Sequence, residues 1–115
     1  MLDLAMRVIH LSLDGLATRQ RLIAENLANV DTPGYLAARV SFEDNLRLAI
    51  EDGAPPETAE IATGRSLDAT KTNGNNVNPD DETLALIETS LRYQLAVESM
   101  NTKFRILRTS MRRDT

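Results

Sequence analysis

Two stretches of this chain, one toward each end, repeat apolar residues in alternating steps of four and three. Toward the N-terminus the positions are Leu2, Met6, Ile9, Leu13, Leu16, Gln20, Ile23, Leu27 and Val30, and eight of the nine are apolar. Toward the C-terminus they are Leu86, Ser90, Tyr93, Val97, Met100, Phe104, Leu107 and Met111, and seven of the eight are apolar. Such spacing is a heptad seam, the pattern of helices that pack lengthwise, whereas a strand needs alternation by two. It predicts two long amphipathic helices, over residues 1–31 and 79–113, packed as an antiparallel coiled-coil-like pair. A helix of the first length spans roughly 40 Å at 1.5 Å per residue. Leu84, Ile87, Leu91 and Leu95 broaden the apolar face of the second helix, which predicts contact with more than one neighbouring helix. Two helices cannot enclose a core, so apolar stripes are left for partners.

The punctuation between the seams sets the boundaries. Asn78-Pro79-Asp80-Asp81-Glu82 is a helix start: a capping asparagine, a proline whose missing N–H costs nothing at the first position, and three acids at the positive end of the dipole. Lys103, Arg105, Arg108, Arg112 and Arg113 suit the opposite end. After the first helix, Asn29 is placed to act as a C-terminal cap, Pro33 pushes Thr32 to extended geometry, and Pro33-Gly34 fits the centre of a type II turn with Gly34 at positive φ. Ser41-Phe42-Glu43-Asp44 reads as a capping box before a short helix over about residues 42–51. From Glu51 to Thr83 only Ile61, Leu67 and Val77 represent Leu, Ile, Val and Phe, so this stretch reads as a polar loop unable to pack well alone. Gly15 interrupts the first helix, either as a tolerated imperfection of about 1 kcal/mol or to admit another helix backbone. The fold class that follows is all-α: a single domain over 1–115 with a turn, a short helix and a polar loop filling 32–78.

No constellation for chemistry emerges, and no catalytic, cofactor-binding or metal-binding residue is assigned. Cysteine is absent, which removes disulfides and thiolate chemistry. His10 is the sole histidine, and a solvated or seam-edge role is the ordinary one for it. With Gly74 as the invariant glycine of a calcium loop, Ala69 would occupy the first ligand position, and the loop fails. The acids Asp80, Asp81 and Glu82 are explained as a helix start. A net charge of −4 does not favour nucleic acid, and no apolar run approaches the roughly 20 residues of a membrane span. Met1-Leu2-Asp3 lacks the basic and apolar regions of a cleaved secretory signal. Residues 43–60 hold six acids and one arginine, opposite in sign to the basic end of the second helix, so a partner of that sign is sought in the same chain or the next copy.

One segment goes beyond generic helix physics: Ile23-Ala24-Glu25-Asn26-Leu27-Ala28-Asn29-Val30-Asp31-Thr32-Pro33-Gly34-Tyr35. It closely resembles the N-terminal signature of the flagellar axial proteins, the rod, hook and hook-associated families, in which Asn26, Asn29, Thr32, Pro33, Gly34 and Tyr35 match the assembly motif. Gly74-Asn75-Asn76-Val77, Leu91-Arg92-Tyr93-Gln94 and the run Lys103–Thr109 resemble the proximal rod family, FlgB. The resemblance implies a structural subunit of the flagellar basal-body rod, without enzymatic activity or cofactor. It implies assembly with copies of itself, with other rod proteins and with adaptor or export-gate proteins of the basal body, and no nucleic-acid binding or membrane insertion. It also implies type III export from the cytoplasm without a cleaved signal, and a place in the periplasmic rod. The seam residues Met6, Ile9, Leu13, Leu16, Ile23, Leu27, Tyr93, Val97, Met100, Phe104 and Leu107 are then the helix interface. Rival readings are another short rod protein of the same family and a small helical export adaptor or chaperone.

Overall fold

The computed structural model describes residues 3–113. Two long helices, α1 (Leu4–Ala28) and α3 (Pro79–Arg113), lie against each other along an elongated molecule of 67 × 28 × 14 Å. Three polar contacts fix their antiparallel register. Lys103 Nζ meets Asp3 Oδ2 at 3.5 Å, Gln20 Nε2 donates to Ser90 Oγ at 3.2 Å, and Asn26 Nδ2 donates to Glu82 Oε2 at 3.1 Å. Gln20 and Ser90 are the polar exceptions in the two seams, and they face each other. Leu2, at the head of the first seam, lies outside the described residues.

Both long helices begin at side-chain caps. Asp3 Oδ1 accepts from the Met6 amide at 2.8 Å, and Asn78 Oδ1 accepts from the Asp80 and Asp81 amides at 3.0 and 3.3 Å. α1 ends at Ala28, short of the expected residue 31. Asn29 is its C-cap and donates Nδ2 to the Glu25 carbonyl at 2.8 Å, satisfying one of the carbonyls a helix end leaves open.

The middle departs from expectation, and the chain is not purely α-helical. Ala38–Ser41 (β1) pairs antiparallel with Ala62–Arg65 (β2), with Ala38 opposite Arg65 and Ser41 opposite Ala62. Between them come α2 (Glu43–Glu51) and a single 3₁₀ turn, Pro56–Thr58. The capping box is not formed: Phe42, not Ser41, precedes α2, and no side chain caps it. Phe42 is a core residue instead. Its buried ring rests on Gly15, where an added Cβ would come within 2.5 Å of the ring, and the Arg19 guanidinium covers it at 5.1 Å. Gly15 therefore admits close approach, of an aromatic ring and not of a helix backbone.

The stretch expected to remain loose is packed. Leu46 and Ala49 of α2 join Ala59 against Leu11 of α1, with Val8, Ala54 and Ile61 around them. α1 is thus apolar on two sides, toward α3 along the seam and toward the middle through Leu11, and the heptad count saw only the first. Leu67, by contrast, is 94% exposed.

Candidate functional site

Where α1 hands over to the middle and α3 begins, a polar clasp ties three segments together. Asn26, in the last full turn of α1, is fully buried. Its Oδ1 accepts from the Ala38 amide at 2.8 Å and the Tyr35 hydroxyl at 3.2 Å. Its Nδ2 donates to the Ala38 carbonyl at 3.0 Å and to Glu82 at 3.1 Å. Two donors and two acceptor sites are all that a carboxamide has, and all four are used. The side chain imitates a peptide on the free edge of β1, pairing both the N–H and the C=O that β2 leaves open at Ala38. Neither aspartate nor leucine supplies that combination.

Glu82 is 1% exposed and accepts from Arg39 Nη1 at 2.6 Å through its other oxygen. It is therefore more than one of three acids at a helix start: it joins α3 to α1 and β1 in one buried contact. A buried carboxylate is tolerated because each oxygen has a partner, one of them a cation.

Consecutive asparagines secure the other half. Asn75, fully buried, donates Nδ2 to the Asn29 and Thr32 carbonyls at 2.9 and 2.8 Å, and its Oδ1 accepts from the Val77 amide at 2.8 Å. Asn76 accepts from the Ala37 amide at 2.7 Å and donates to the Ser66 and Asp68 carbonyls, both at 3.2 Å. The expected turn is present: Gly34 has φ +74°, and the Tyr35 amide returns to the Thr32 carbonyl at 3.3 Å. Gly34 itself donates to the Asn73 carbonyl at 2.9 Å. Gly74, at φ +81°, passes so close that a Cβ on it would lie 3.3 Å from the Gly34 Cα. Two loops cross backbone to backbone here, each through a glycine in the left-handed region. Tyr35 is half-buried beneath the Arg65 guanidinium, 5.3 Å from its ring centre.

The sequence motif thus divides by depth. Asn26 is buried, Asn29 and Tyr35 are half-buried, and Thr32, Pro33 and Gly34 stand at the surface. Reading the sequence picked out Asn26 to Tyr35 but gave Asn75, Asn76, Glu82 and Arg39 no role in the same site. The signal available was the resemblance of Gly74-Asn75-Asn76-Val77, treated there as a separate feature. Every buried side-chain nitrogen and oxygen among the described residues has a partner.

Two ion pairs brace the middle against α1. Arg19 holds Glu43 with both terminal nitrogens, at 2.7 and 2.8 Å, and also donates to the Val40 carbonyl. Those hydrogen bonds pull the Glu43 carboxyl down to about 2, against the opposing effect of partial burial. Arg7 grips Glu57 in the same forked way at 2.7 and 2.8 Å and likewise brings it to about 2. A cleft of about 550 Å³ opens between α1, α2 and α3, lined by Leu16, Phe42, Leu46 and Ile50, and its charges are paired within the chain. His10 is exposed beside Asp14. Among the described residues no cluster of three or more His, Cys, Asp or Glu could hold a metal ion, and no helix is long and apolar enough to cross a membrane.

Of the seam residues, Met6, Leu16 and Ile23 are buried, and Ile9, Leu13, Leu27, Tyr93, Val97 and Met100 are half-buried. Phe104 and Leu107 are exposed and follow Lys103, which pairs with Asp3.

The clasp joins the end of α1, β1 and the start of α3 through side chains that bond to one another, the arrangement of a structural joint. Comparison with known proteins agrees. The flagellar basal body rod protein FlgB of Bacillus subtilis (strain 168) is 34% identical, over 79% of this chain and 80% of that protein. The chain belongs to the FlgB family. The Escherichia coli (strain K12) FlgB is 30% identical over 87% of each chain, and that of Borreliella burgdorferi 31% over 75% of this chain and 79% of its own. No family model matches. FlgB proteins are structural components of the basal body rod and not enzymes, which sets aside the adaptor or chaperone reading.

Proposed function

We propose that this chain is a single-domain subunit at the proximal end of the flagellar rod, assembling helically so that its packed helices carry torque and surround an export channel. Membership of the FlgB family supports the rod assignment. The observation that carries the mechanical reading is the clasp. Asn26, Asn75 and Glu82 lock α1, β1 and α3 with every polar group satisfied, so the angle between the helices is held by many short bonds. A dense interior with saturated hydrogen bonding gives little under load. Asn26, Asn29, Thr32, Pro33, Gly34 and Tyr35 act in this reading as the residues that set the joint, not as a docking face for ligand. The seam residues pair the helices within the chain and, beyond the end of α1, between chains.

Partners on this reading are copies of the chain, further rod proteins above, and an adaptor or export-gate protein below. The rod lies in the periplasmic space, reached through type III export without a cleaved signal. A tagged chain tests this in a flagellated host lacking its own copy. It should restore swimming and remain with purified basal bodies after hook and filament are stripped. Restored swimming with the tag absent from stripped basal bodies would remove the rod assignment.

A further inference from the structure

Asn73-Gly74, at the crossing of the two loops, is the one Asn-Gly pair in the chain. Such a pair carries a chemistry of its own. The backbone nitrogen after an asparagine can attack the side-chain amide carbon, and a glycine there, having no Cβ, leaves the approach open. The Gly74 nitrogen would lose its proton and bond to Asn73 Cγ. The side-chain nitrogen would take up a proton and leave as ammonia, closing a five-membered imide. Water then opens the ring at either carbonyl. One product is aspartate. The other is isoaspartate, in which the main chain runs through Cβ and Cγ and the former backbone carbonyl becomes a carboxylate. The net change consumes water and releases ammonia, with nothing oxidised or reduced.

Asn73 is exposed, so water reaches it. Three hydrogen bonds nevertheless keep the reacting atoms from meeting. The Gly74 amide donates to the Lys71 carbonyl at 2.9 Å, which favours the protonated amide over the anion that attacks. Asn73 Oδ1 accepts from the Asn75 amide at 3.1 Å, fixing the side chain whose carbon must swing onto the Gly74 nitrogen. The Asn73 carbonyl accepts from the Gly34 amide at 2.9 Å, fixing the backbone torsion that ring closure must turn. The Lys71 amide closes the loop on the Asn75 carbonyl at 2.8 Å, and the buried Asn75 side chain ties that loop to the end of α1.

We propose that Asn73 is a deamidation site that the folded clasp holds closed and unfolding opens, and that its isoaspartyl product cannot rebuild the loop crossing. The two products differ in what they leave intact. Aspartate keeps a side-chain oxygen for the Asn75 amide and a backbone carbonyl for Gly34. Isoaspartate adds an atom to the main chain and replaces that carbonyl. The crossing has no room for the addition, since a single Cβ on Gly74 would already lie 3.3 Å from the Gly34 Cα. Time spent unfolded is thus written into the chain as a defect at the joint itself. The inference concerns the folded chain and does not depend on the rod assignment.

The test ages the full chain in mildly alkaline buffer across a urea series, with folding followed by circular dichroism. Conversion at position 73 is read by peptide mass spectrometry, and isoaspartate by enzymatic methylation of its free carboxylate. The rate should climb with the unfolded fraction and should be roughly tenfold or more lower without urea than in the fully unfolded chain, because reaction then waits on opening of the loop. A rate unchanged through the transition would overturn the protection. The consequence is tested on refolded material. The Asn73→Asp chain should unfold at the urea midpoint of the parent, and the isoaspartyl form, separated by chromatography, at a lower one. An isoaspartyl form with the parent's midpoint would overturn the claim that the crossing cannot be rebuilt. Equal losses in both forms would overturn the added chain atom as the cause and assign the damage to the new charge.

Discussion

At the scale of single residues, the clasp works because an asparagine side chain has the hydrogen-bonding pattern of a peptide. Asn26→Ala leaves the Ala38 amide and carbonyl, the Tyr35 hydroxyl and one Glu82 oxygen without partners in a buried place. Allowing for water entering the gap, we expect a loss of about 2–4 kcal/mol, read from urea unfolding followed by circular dichroism. A loss under about 1 kcal/mol would mean that Asn26 is replaceable by water. Gly15 sets two effects against each other. Alanine there gains about 1 kcal/mol of helix propensity, but its Cβ collides with a buried aromatic ring, an overpacking that costs roughly 1–3 kcal/mol. Gly15→Ala should therefore destabilise the chain, and the sign should reverse in a Phe42→Ala background, where only the propensity gain survives. The same sign in both backgrounds would rule out the ring as the reason for the glycine. Gly34 has open space around it, so its constraint is torsional: at φ +74° a valine is strained by about 1–3 kcal/mol. Gly34→Val should impair swimming more than Leu67→Ala, since Leu67 has almost nothing to lose. Soft-agar motility with immunoblots of basal bodies compares them.

At the scale of elements, α2 and the 3₁₀ turn are short and pack only small areas, so the ion pairs to α1 matter to where they sit. Glu43 and Glu57 both titrate near 2 in the folded chain, below an ordinary glutamate value of 4.5. A depressed folded value means that the unfolded chain binds protons first as pH falls. The stabilising contribution is therefore complete above about pH 5 and is lost progressively as pH drops through about 2. Glu57 is exposed and its share is reduced by solvent screening. Acidification should loosen α2 and the Pro56–Thr58 turn before the α1–α3 pair, visible as earlier loss of amide protection in residues 43–59 than in the long helices. Glu43→Gln should flatten the pH dependence over the same window. Uniform loss across the chain would show that the middle is held by its apolar contacts alone.

At the scale of the whole molecule, the long helices are of unequal use to the chain itself. Leu13 is half-buried between α1 and the rest of the chain, whereas Leu107 is 38% exposed and lies beyond the described end of α1. A charge placed at Leu13 must be buried to fold, and one at Leu107 only to assemble. Leu13→Asp is expected to cost roughly 2–4 kcal/mol of stability in the isolated chain and to prevent incorporation. Leu107→Asp should leave the melting curve nearly unchanged, within about 0.5 kcal/mol, and still prevent incorporation. Thermal unfolding beside basal-body immunoblots separates the two. Normal filaments with Leu107→Asp would show that the tail seam is not an interface.

What the residues determined by themselves was local and periodic. Heptad spacing gave both long helices, Asn78-Pro79 gave the start of α3, Asn29 its place at the end of α1, and Pro33-Gly34 the type II turn. Each rests on interactions within a few residues, which a linear reading can count. The sheet could not be read that way. Ala38–Ser41 and Ala62–Arg65 have no strong alternation; β1 is held from outside by Asn26, 12 residues before Ala38, and Ala37, just ahead of β1, by Asn76, 39 residues after it. Nor could the burial of Glu82, which looks like any acid at a helix start until Arg39 and Asn26 arrive beside it. Gly15 read equally as a tolerated defect or as room for another helix backbone, because its partner, Phe42, looked like part of a helix cap. In each case the deciding energy lies between groups distant in the chain, so only the tertiary structure could decide it.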